Sequence, residues 1–162
     1  MRSKVMAMLL FVGASLSCVA GTAFAADVPS ALLGTWKLDV AKTQWNGPPA
    51  LKSYTVTVTE AGEGKVKDLV QWIDADGTTG KLEYTVSLDG NANPVTGYPN
   101  ADSVKMKMGK AGSLHMTLLK GGKPVEWGRY KVSKDGKTLH ATEGGTDVEG
   151  LKYRWVEVFD RQ

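Results

Sequence analysis

The chain has few residues able to do covalent or metal chemistry, and their spacing does not bring them together. His115 and His140 are its only histidines. His115 alternates with Leu114 and Met116, which puts it on the polar side of an extended run. Two imidazoles without a patterned carboxylate do not make a metal or haem site. Asp74-Ala75-Asp76-Gly77 matches the opening of a calcium loop, but the twelfth position falls on Thr85 where a glutamate is needed. There is no Gly-x-Ser-x-Gly, and no serine has a patterned histidine partner. The expectation is a non-catalytic protein without a cofactor.

Aromatic and sulfur side chains are better supplied. Trp45, Trp72, Trp127 and Trp155 accompany Tyr54, Tyr84, Tyr98, Tyr130 and Tyr153. Such residues either fill an interior solidly or line an apolar pocket with a few polar tips. Met106, Met108 and Met116 serve as filler or as an adaptable wall. If Val125 and Trp127 point inward, so does Arg129, whose buried charge needs a partner such as Glu83, Glu126 or Glu157. The candidate ligand-binding set is Tyr54, Trp72, Tyr84, Met106, Met116, Trp127 and Arg129.

The elements that must position these residues repeat every two residues. Ser53 to Thr59, Leu82 to Leu88, Val104 to Met108 and Leu114 to Leu118 alternate apolar with polar, the half-buried strand pattern. Glycine-bearing turns separate them, among them Asp74 to Gly77, Gly121-Gly122, Asp135-Gly136 and Gly144-Gly145. The spacing predicts about nine strands, near 33–40, 53–60, 66–73, 80–88, 103–108, 113–120, 124–133, 138–142 and 151–159. No run of ten or more residues reads as an amphipathic helix, and Gly47-Pro48-Pro49 blocks one. Residues 89–102, with two prolines and three asparagines, read as a long loop at a rim. The fold class is therefore all-β, an antiparallel up-and-down meander closed into an eight-to-ten-stranded barrel, with a two-sheet sandwich as the competing solution.

The first 25 residues read as a secretory leader: Arg2 and Lys4, an apolar run from Val5 to Val12, and Ala23-Phe24-Ala25 before a cleavage point at Ala26. Removing it leaves 137 of the 162 residues as one domain, 26–162, with 18 basic against 17 acidic side chains, a net charge of +1. That balance gives no reason to expect a nucleic-acid partner, and the leader's apolar run is too short to span a membrane. Cys18, the only cysteine, lies within the leader. Ser15 stands where a lipid-attachment signal wants an aliphatic residue, so lipid anchoring is disfavoured. The expected location is periplasmic or extracellular, as a monomer or weak dimer. An outer-membrane barrel is opposed by short strands carrying Lys105 and Lys107.

Gly34-Thr35-Trp36-Lys37-Leu38, opening such a meander, resembles the Gly-x-Trp entry strand of the calycins, the lipocalins and fatty-acid-binding proteins. Val156 to Arg161 is similar to the last strand of a fatty-acid-binding protein. Gly34 to Leu38, Ala41-Lys42, Pro94 to Asp102 and Ser133 to Leu139 together resemble small secreted bacterial lipocalin-like proteins. The resemblance implies a barrel whose closed end is plugged by Gly34 and Trp36, with an arginine, Arg154 or Arg129, over the indole. The fatty-acid-binding pattern also has an Arg-x-Tyr clamp on the last strand, but Glu157 and Phe159 stand at those positions, so a fatty-acid ligand does not carry over.

The leading expectation is a secreted barrel that binds a small hydrophobic or amphipathic ligand in or at its mouth. The alternatives are a solid-cored protein-binding module, with an apolar patch around Tyr98 and Trp45, and a small enzyme with acids and bases converging at the mouth.

Overall fold

The computed structural model describes residues 28–47 and 51–162; the expected leader and Pro48-Pro49 lie outside them. Eleven strands run in order: β1 (Gly34–Leu38), β2 (Gln44–Asn46), β3 (Leu51–Glu60), β4 (Lys65–Asp74), β5 (Thr79–Ser87), β6 (Asp89–Pro94), β7 (Ser103–Met108), β8 (Leu114–Lys120), β9 (Lys123–Val132), β10 (Thr138–Thr146) and β11 (Lys152–Arg161). Ten of them form one antiparallel ladder in the order β5-β4-β3-β1-β11-β10-β9-β8-β7-β6. The short β2 pairs with β11 beyond the end of β1, setting Trp45 opposite Trp155. Leu88 alone links β5 to β6, which touch without forming a ladder. The result is a nearly closed barrel.

Period-two alternation sorts the side chains. Tyr54, Val56 and Val58 of β3, Val66, Val70 and Trp72 of β4 and Leu82, Tyr84 and Val86 of β5 lie side by side on one inner wall. Leu38, Leu139, Ala141 and Phe159 pack around Trp36 at one end. That end is shut by a 3-10 turn at Ser30–Leu32, whose Leu32 carbonyl accepts the Trp36 indole N–H at 3.0 Å. Gly34 has a φ of +122°, and a Cβ there would lie 2.7 Å from Arg161 Nη1, so only glycine admits the arginine.

Four expectations need correction. Residues 89–94 form an edge strand. They lack an apolar pattern because most of their side chains are exposed, and the Asp89 carboxyl pins the backbone by accepting from Asn91 N–H at 2.8 Å. Gly144-Gly145 lies inside β10, not in a turn. The Trp127 ring covers Gly144 from the neighbouring strand, and a Cβ there would meet it at 2.8 Å. The turn comes later, where Asp147 N–H donates to Leu151 O.

The third correction is parity on β9. A bulge sets Leu118 opposite Glu126 but Leu119 opposite Pro124, leaving Val125 as the extra residue. Alternation restarts one residue out of step, so Glu126, Gly128 and Tyr130 point inward while Trp127 and Arg129 are exposed. The fourth concerns the cation over Trp36. Arg154 alternates with the inward Tyr153 and Trp155 and is exposed. The guanidinium over the indole belongs to Arg161, 4.1 Å from the ring centroid.

Candidate functional site

The barrel is hollow. A cavity of about 450 Å³ runs from Trp36 and Leu32 at the closed end to Tyr98, Pro99 and Val148 at the other. Tyr54, Trp72, Tyr84, Met106 and Met116, all in the expected set, line it. Trp127 and Arg129 lie on the outer surface. Tyr130, Tyr98, Tyr153 and Trp155 take part in the wall instead. Trp155 stacks between Trp45 (centroids 5.1 Å apart, edge-on) and Tyr153 (4.5 Å).

The mouth is latched by one carboxyl group. Glu126 Oε1 accepts from Tyr98 Oη at 2.7 Å and Asn100 Nδ2 at 2.5 Å, and Oε2 accepts from Tyr153 Oη at 2.8 Å. Asn100 also donates to Thr146 O. The segment after β6 is thereby tied across the opening, with Tyr98 edge-on to Trp72 at 6.4 Å. Tyr98 and Trp45 are half-buried against this interior, so they do not form the exposed patch expected around them. Replacing Glu126 with glutamine leaves the shape but removes an acceptor oxygen. Amide hydrogen exchange across residues 95–102 should then rise severalfold, while β3 and β4 keep their protection.

Deeper in the barrel the polar side chains are acids and phenols. Asp68 of β4, 5% exposed, sits between the inward Val66 and Val70, and its Oδ1 has no hydrogen-bond partner. Burial pushes its carboxyl up to about 7, with Tyr84 partly offsetting the shift. Glu143 of β10 accepts from Tyr130 Oη at 2.5 Å. Glu157 of β11, fully buried, has neither oxygen partnered. Burial raises both glutamates well above the usual carboxylate range; Glu143 adds to the rise at Glu157, and Glu126 to that at Glu143. Burial likewise raises the phenols of Tyr54, Tyr84 and Tyr130.

Among the described residues no lysine, arginine or histidine lines the cavity. Arg161 is engaged at the closed end by the carbonyls of Gly136, Leu33 and Ala31, each at 2.6 Å. Glu83, considered as a partner for a buried arginine, lies outside and pairs with Lys67 at 2.9 Å. His115 bonds Ser113 at 3.1 Å, His140 is exposed, and β9 runs between their strands.

Asp68 and Glu157 were available from alternation alone. Glu126 was hidden by the β9 bulge, and Glu143 by reading the glycine pair after it as a turn.

No protein-family model matches the sequence, and no curated protein matches it. Among solved structures, a variant of the fluorescent protein UnaG is similar at a TM-score of 0.51 and 14% identity, covering 82% of this chain and 96% of that one. The S-type phycobiliprotein lyase CPES from Guillardia theta is similar at 0.52 and 8%, covering 82% and 89%. At such identities the likeness is one of fold. The chain is a calycin-like β-barrel, all-β and antiparallel, with its entry tryptophan at the closed end.

Proposed function

We propose that the protein is an exported carrier that holds one small, partly apolar molecule inside its barrel. The observation that carries this reading is the cavity: about 450 Å³ of unfilled space whose surface is mostly apolar, walled by Val56, Val70, Leu82, Met106 and Met116, with acids and phenols among them. Interiors normally pack to crystal-like density, so a void of this size in a barrel fits a ligand site better than a core. The solid-cored alternative needs the opposite. The enzyme alternative needs an acid and a base converging on one reacting atom at the mouth, whereas the mouth carboxyl, Glu126, is taken up by three donors.

Export is supported by the leader-like first 25 residues, and the mature chain would begin at Ala26 in the periplasm or outside the cell.

The neutral dye Nile red tests the carrier reading. It should bind the intact protein one to one with a blue-shifted, enhanced emission. Leu82→Trp, which narrows the cavity, should weaken it about tenfold while circular dichroism stays unchanged. Native mass spectrometry of protein purified from its own compartment should show an added small-molecule mass. Absence of both signals would return the protein to the protein-binding reading.

A further inference from the structure

We propose that the ligand is an organic amine, an apolar body carrying a protonated nitrogen, and that the cavity discriminates against carboxylate-headed molecules. This rests on the carrier reading above and specifies its ligand class.

Buried polar atoms in folded proteins are nearly always paired. Asp68 lines the cavity and its Oδ1 has no partner; both oxygens of Glu157, buried outside the lining, are also unpartnered. Glu143 receives one hydrogen bond, from Tyr130. Glu126 is different, because its three donors are already in place at the mouth. At the cavity wall the free acceptor capacity thus lies on Asp68 and Glu143, beside one free donor. An ammonium group brings three donors and no acceptor, the complement of those two acids. A carboxylate brings acceptors only.

A second observation comes from a residue outside the acid cluster. Trp155 is 8% exposed and lines the same cavity, yet its indole N–H also lacks a partner. An ammonium cannot satisfy this donor, so the ligand's body must also carry an acceptor such as a hydroxyl or ether oxygen. The same indole, with Tyr54 and Tyr130, makes part of the lining aromatic, and aromatic rings attract a cation over their faces.

Charge points the same way. With no lysine, arginine or histidine among the described lining residues, an anion entering the cavity meets carboxyls and no cation. An entering ammonium favours the ionised form of Asp68 and Glu143, and its attraction to them is strengthened by their burial. Arg161 does not compensate for an anion, since three backbone carbonyls and Trp36 already hold its guanidinium.

A matched ligand series separates head group from body: decylamine, decanol and decanoate, titrated calorimetrically into the intact protein at pH 7.5. Decylamine should bind at least about tenfold more tightly than decanol, and decanoate more weakly than either. Asp68→Asn and Glu143→Gln should each weaken decylamine about tenfold and leave decanol unchanged. A merely structural role for these acids would weaken both ligands alike and would overturn the assignment. Decanoate binding as tightly as decylamine would also overturn it, while the carrier reading would stand. Failure of all three to bind would remove both.

Discussion

Trp36→Ala is expected to cost the fold about 3–5 kcal/mol, among the largest losses available to a single substitution in this chain. Three separate contributions meet at this residue. The ring is 1% exposed and packed among Leu38, Leu139 and Phe159, so its removal leaves a large hole at the closed end. Its indole N–H satisfies the Leu32 carbonyl of the 3-10 turn that shuts the barrel. Its face carries the Arg161 guanidinium, which in turn fastens the carbonyls of Ala31, Leu33 and Gly136. Urea denaturation followed by circular dichroism reads the loss.

Two further substitutions divide the effect. Trp36→Phe keeps most of the packing but leaves the Leu32 carbonyl unpaired, and should cost about 1–3 kcal/mol. Arg161→Ala removes the clamp but not the ring. Because both side chains act on the same turn, the double variant Trp36→Ala with Arg161→Ala should lose less than the two single losses together. Strict additivity would show that the arginine and the indole act independently, against the plug described here.

That plug also shows what the sequence could reveal. The Gly-Thr-Trp opening and period-two alternation were enough for an antiparallel barrel with Trp36 at its closed end. The same alternation, carried from Trp155 through Glu157 and Phe159, reaches Arg161 as the next inward residue, although the chain end reads as solvent-exposed. Arg154, on the opposite parity, could not have served. Alternation is legible only while the ladder is regular. At Val125 one extra residue reverses it, so Trp127 and Arg129 exchange places with Glu126 and Tyr130. At Gly144 the missing side chain is replaced by the ring of Trp127 from the next strand, which a linear pattern does not record. The acids of the cavity come from β4, β9 and β10 together, two of them beside these irregularities, and no one segment carries its acidic character.

Those acids make stability depend on pH in the direction opposite to most carboxyls. In the folded protein burial raises Asp68 from 3.8 to about 7, and raises Glu143 and Glu157 also. Between the unfolded and folded values the native state holds protons that the unfolded chain has released. Stability from Asp68 is therefore fully present below about pH 4 and lost as pH rises through about 7, and the two glutamates continue the decline. Asp76, Asp89 and Asp102 act the other way. The backbone N–H groups of Thr78, Asn91 and Gly121 hold them low, so their contribution is lost only as pH falls below about 4. The protein should be most stable near pH 4–5 and weaken steadily toward pH 8. For Asp68 alone, with each tenfold shift in ionisation amounting to about 1.4 kcal/mol, the loss is at most about 4 kcal/mol. Asp68→Asn cannot ionise, so it should match the wild type near pH 4 and exceed its stability by a few kcal/mol at pH 8, with a shallower slope between. Urea midpoints measured from pH 4 to pH 8 decide the matter. Parallel curves for the two proteins would mean that Asp68 does not change its protonation on unfolding in this range, and would remove the buried acid from the account of both stability and the cavity's charge.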